Sequence, residues 1–104
     1  MAKPKQPNGH SMMDLVLTAA AEVAARKPSF TLEDLAAACF HEWPRVFALQ
    51  GYPAYPDARK VSNQLFGYRG LVAQGYLIRK DRLYSVSEEV LQSYREEINN
   101  DTGT

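Results

Sequence analysis

One cysteine, no long apolar run and no net charge: the sequence has little of what declares most functional classes. A single thiol forms no internal disulfide, which fits a reducing, cytoplasmic setting. Cys39 stands between Ala38 and Phe40 and is expected to be a buried, inert thiol. One Cys and two distant His, His10 and His41, supply no usual zinc spacing, so neither a metal nor a cofactor is expected. Gly67 and Gly70 do not match a phosphate-cradling loop. His41-Glu42 reads as an exposed pair rather than an acid–base dyad, and the chain is expected not to be an enzyme. No segment approaches the ~20 apolar residues that span a bilayer. Met13–Ala25 carries Asp14 and Glu22, so it reads as an amphipathic helix and not as a secretory apolar segment. No membrane partner is expected.

What charge there is has been sorted along the chain. Lys3 and Lys5 make residues 1–11 basic. Residues 12–55 are slightly acidic. Residues 56–86 hold Arg59, Lys60, Arg69, Arg79, Lys80 and Arg82 against only Asp57 and Asp81. Residues 87–104 reverse the sign, with Glu88, Glu89, Glu96, Glu97 and Asp101 against Arg95. A basic segment followed by an acidic one points to an anionic partner met on one side of the molecule.

The apolar fraction of 45% suits one globular domain, placed at residues 12–98 between polar tails at 1–11 and 99–104. Ser11 and Asp14 predict the start of a first helix over Met12–Arg26, with Leu15, Val16, Ala19, Ala20, Val23 and Ala24 as its apolar stripe. Thr31, with Glu33 and Asp34 behind it, predicts the start of a second, and Pro44 ends it near Trp43. Phe30 is placed to pack on Leu35. Residues 44–56 (PRVFALQGYPAYP) exclude a long helix and read as one helical turn followed by an aromatic loop. A third helix is predicted from Pro56 or Asp57 to Gln74, ended by Gly75. Its buried stripe is Val61, Leu65, Tyr68 and Val72, leaving Arg59, Asn63, Phe66 and Gly70 outward. Gly67 and Gly70 weaken a helix there and permit close approach of a backbone or a ligand. Tyr76–Val86 reads as a β-hairpin with a charged tip, and a last helix follows from Ser87 with Val90, Leu91, Tyr94 and Ile98 inward.

This order, helix-helix-helix-hairpin-helix in a mainly α, α+β chain, resembles the winged helix-turn-helix. Val72-Ala73-Gln74-Gly75-Tyr76-Leu77-Ile78-Arg79 resembles the junction where a winged-helix recognition helix ends at glycine and enters the wing. Phe30-Thr31-Leu32-Glu33-Asp34-Leu35-Ala36 resembles the start of the second helix in such domains, where a strand residue precedes the cap. About 13 residues separate helices two and three, so the tight turn of the motif is missing.

The resemblance implies double-stranded DNA as partner, with the third helix in the major groove and the hairpin on the backbone. Arg59, Lys60, Ser62 and Asn63 would face the groove, Arg and Asn being suited to guanine and adenine edges. Arg79, Lys80 and Arg82 would neutralise phosphates, with Arg69 nearer the core. An outward Phe66 is awkward for base reading and is expected either to touch a thymine methyl or to pack under the aromatic loop. The alternative is a winged-helix protein-interaction module, or a subunit of a larger assembly, using the 44–56 loop and the last helix through Phe47, Tyr52, Tyr55, Phe66 and Tyr94; a homodimer through the terminal helices would present two recognition helices to a two-fold site.

Overall fold

The computed structural model describes residues 11–102, with side-chain surroundings for residues 11–96. Lys3, Lys5 and His10 of the expected basic tail lie outside the described residues. The elements run α1 (Met12–Arg26), α2 (Leu32–Glu42), α3 (Pro44–Phe47), β1 (Ala48–Leu49), β2 (Tyr52–Pro56), α4 (Ala58–Leu65), β3 (Leu77–Lys80), β4 (Leu83–Val86) and α5 (Glu88–Thr102). The chain is thus an α+β domain of helices and two-stranded antiparallel sheets.

Local chemistry sets the helix starts. Ser11 and Asp14 form a reciprocal capping box on α1, and Thr31 and Asp34 form another on α2. Each box satisfies two backbone N–H groups that a helix start leaves open. Trp43 ends α2 and begins α3, where Pro44 takes a first-turn position that needs no N–H.

The core gathers one face of each long element. Leu15, Val16, Ala19 and Ala20 of α1 meet Leu35, Ala36 and Cys39 of α2, Val61 and Leu65 of α4, and Leu77, Tyr84 and Val86 of the second hairpin. Trp43 and Phe47 close one end with rings 6.1 Å apart. Phe30 is fully buried and also pairs with Tyr84 through two backbone hydrogen bonds of 2.9 and 2.7 Å. It therefore covers the outer edge of β4 as a one-residue strand, immediately before the Thr31 cap.

Three sequence expectations are corrected. First, the third helix ends at Leu65 and not at Gln74. Gly67 adopts φ +93°, a left-handed conformation that breaks the helix. At Gly70 a Cβ atom would collide with the carbonyls of Leu65 and Phe66, because the chain folds back onto the helix end there. Leu71 and Val72 donate to the Gln64 and Leu65 carbonyls and so bind this return. Gly70 is consequently buried, and Tyr68, expected inward, is 84% exposed.

Second, the aromatic loop forms a hairpin of its own, β1–β2. Leu49 pairs with Tyr52 across Gln50-Gly51, where Gly51 has φ +83°. The next pair is Ala48 with Pro56, so Pro53, Ala54 and Tyr55 bulge from β2 without partners. Proline has no N–H to give a ladder and is confined to such positions. Third, the tail expected over residues 99–104 is helical as far as Thr102, since no proline or glycine interrupts the sequence between Ser87 and Gly103.

Candidate nucleic-acid interface

The site is built around α4. Asp57 accepts a 2.9 Å hydrogen bond from the Arg59 N–H and caps the helix. Residues on an α-helix turn by about 100° each. With Val61 and Leu65 buried, Arg59 and Asn63 fall on the outward ridge, and both are exposed. Ser62 is half-buried on the flank.

Two hairpins are linked to α4, one at its first turn and one just past its C-terminal end. At the Lys60 end is β1–β2. The Lys60 ammonium donates to the carbonyls of Val46 and Ala48 at 3.1 and 3.0 Å. The Asp57 N–H donates to the Phe47 carbonyl at 2.7 Å. These bonds fasten the base of the hairpin to the first turn of α4. Lys60 was expected as a DNA contact; the structure directs its ammonium to the protein's own backbone. At the Phe66 end is β3–β4. The Phe66 ring lies 6.4 Å from Tyr84, whose own ring is 6.5 Å from Phe30. The Arg79 guanidinium lies over Phe66 at 5.3 Å, and its Nε donates to the Asp81 carbonyl. Phe66 therefore packs toward the charged hairpin rather than beneath the aromatic one.

Lys80 and Arg82 extend from the exposed tip of β3–β4, where Asp81 takes φ +59°. The strands match the expected four residues each, with Lys80 opposite Leu83 and Leu77 opposite Val86. Ile78 and Leu83 are exposed on one face of this hairpin. Arg69 is exposed and lies over the Tyr68 ring at 5.3 Å, away from the α4 ridge in sequence and outside the helix.

The expected protein-contact residues divide. Tyr52 and Tyr55 are each 61% exposed and meet edge to face at 6.5 Å. Phe47 is fully buried against Trp43 and is not available as a contact. The one-turn helix α3 points it inward. Tyr94 is half-buried and lines a shallow groove between α1 and α5 with Leu17, Ala21 and Val90.

The groups weighed for catalysis lie on α2. Burial pushes the Cys39 thiol up to about 12, so the sulfur stays protonated near neutral pH. His41 is exposed. Among the described residues, His, Cys, Asp and Glu form no group of three or more able to hold a metal ion. No helix among the described residues is long and apolar enough to cross a membrane.

No family model, no curated protein and no solved structure matches the chain. The role of the α4 surface is accordingly argued from its own geometry and charge.

Two features of the site escape the sequence reading, for different reasons. Lys60 carries the same signal as any other lysine in a basic stretch, and only the fold-back of residues 46–48 gives it carbonyls. The β1–β2 hairpin did have a signal, Gln50-Gly51 between apolar residues, but the prolines at 53 and 56 masked it.

Proposed function

We propose that this chain is a cytoplasmic DNA-binding domain of winged-helix type, a transcription regulator or DNA-associated accessory factor, and not an enzyme. The observation that carries the reading is the exposed Arg59–Asn63 ridge of α4 standing beside a hairpin whose tip bears Lys80 and Arg82. In this reading α4 enters the major groove and Arg59 and Asn63 meet base edges, while Lys80 and Arg82 neutralise phosphates. Arg79 contributes charge from its seat over Phe66. The acidic helix α5 packs chiefly on α1.

The element order supports the winged-helix assignment, with α1, α2 and α4 as the three helices and β3–β4 as the wing. The α3 turn and β1–β2 then replace the short turn of the motif. Eight residues give α4 a length of about 12 Å, enough for one set of groove contacts.

The test is a fluorescence-anisotropy titration of a mixed-sequence duplex at low and moderate salt, beside an Arg59→Ala/Lys80→Ala double variant. Salt-sensitive binding, weakened about tenfold or more in the variant, is expected. A wild-type chain that leaves the duplex free at low salt would sink the proposal.

A second reading, a protein-interaction module, is favoured by the exposed pair Tyr52 and Tyr55. Pairing of two copies through the α1–α5 groove belongs to the same reading. Sedimentation of the isolated protein distinguishes a monomer from such a dimer.

A further inference from the structure

The β1–β2 hairpin has an unusual combination of properties. Every residue of β2 is exposed, yet the hairpin base is tied firmly to the helix beside it. A hairpin of this size gains little stability of its own. Lys60 holds one of its backbone carbonyls, that of Ala48, and the Val46 carbonyl of α3 just before it, and the Asp57 N–H holds that of Phe47 at the hairpin's entrance. The bulge of residues 53–55 then turns Tyr55 out to meet Tyr52, leaving both rings largely in solvent. Bulges commonly re-aim a side chain in this way.

Position gives the pair its meaning. Lys60 stands in the first turn of α4 and holds the entrance of β1–β2, while Phe66, just past the last turn, packs against Tyr84 of β3–β4, so the two hairpins are fastened to opposite ends of α4. One hairpin carries cations at its tip. The other carries two phenol groups and no charged residue between Val46 and Pro56. Phenol hydroxyls donate hydrogen bonds to phosphate oxygens, and a phosphodiester backbone continues on both sides of a groove that a helix occupies.

We infer that β1–β2 is a second arm of the DNA surface. Tyr52 and Tyr55 hydrogen-bond to the phosphate backbone at the end of α4 opposite the hairpin that bears Lys80 and Arg82, and Lys60 is the positioning residue that holds this arm against α4. The inference rests on the DNA-binding reading and adds to it a neutral contact and an internal brace.

The test is a set of duplex titrations over a range of salt, with far-UV circular dichroism and thermal unfolding confirming that each variant is folded. Tyr52→Phe/Tyr55→Phe removes only two hydroxyls from exposed positions. It should weaken binding about tenfold and leave the salt slope unchanged, because no charge is lost. Lys60→Met should weaken binding similarly with an unchanged slope, and combining it with the tyrosine changes should add little. A Lys60 that touches phosphate itself would instead lower the slope by about 0.9 and add to the tyrosine effect; that result overturns its role as a brace. Wild-type affinity in the tyrosine double variant, with Arg59→Ala/Lys80→Ala still impaired, overturns the second arm and leaves the DNA reading standing. A wild-type protein that binds no duplex overturns both.

Discussion

Single residues in this domain hold the chain's turns in place, and two of them make sharp predictions. Gly70 sits where the return from α4 passes against the helix end, and a methyl group there meets backbone, not a movable side chain. Gly70→Ala should therefore lower stability by about 1–3 kcal/mol in urea unfolding. An unchanged midpoint would mean that the return is slack. Asp34 accepts from the Thr31 N–H and from the Lys27 ammonium, both at 3.0 Å. The Thr31 N–H first, and Lys27 beside it, hold its carboxyl below the ordinary value of 3.8. The unfolded chain then binds this proton more readily than the folded one. The stabilising contribution is present above the unfolded value and is lost as pH falls through the folded one. The stability difference between wild type and Asp34→Asn should accordingly shrink as pH falls from above the ordinary value of 3.8 to below it. A difference that is constant across that range would contradict the assignment.

At the scale of elements, the sequence was most legible where one local cause acts alone. The starts of α1 and α2 follow from Ser11 with Asp14 and from Thr31 with Asp34, and both boxes form as the spacing implies. The four-residue strands of β3–β4 follow from two β-prone runs about a charged pair. Legibility failed where distant segments meet. The apolar residues Val61, Leu65, Tyr68 and Val72 keep helical spacing across residues that do not stay helical, so periodicity alone overextended the helix. Val72 still packs against the core, but it arrives there by a return held by Gly67 and Gly70. The prolines and glycine of 44–56 exclude a long helix and leave one turn and an aromatic loop as the reading. The structure keeps the turn as α3 but adds two ladder pairs, one of them Ala48 with Pro56 at the strand end, and puts Pro53 in the bulge. Of the candidate site, Arg59, Asn63, Lys80 and Arg82 are exposed as expected, whereas the fates of Lys60 and Phe47 depended on contacts 12 or more residues away or on the direction of a single helical turn.

On the scale of the whole molecule, zero net charge conceals a dipolar arrangement. The stretch from Asp57 to Arg82 carries the excess of basic residues and includes α4 and β3–β4, while α5 carries acidic ones against α1. On the proposed reading, a duplex would be drawn to the basic segment and repelled by the acidic helix, so that binding has a place as well as a strength. The measurement that tests it most directly is an amide chemical-shift titration of the isotopically labelled protein with a mixed-sequence duplex. The account predicts shifts concentrated in residues 52–63 and 79–83, with α1 and α5 nearly unmoved. Shifts centred on the α1–α5 groove, or no shifts at low salt, would contradict it.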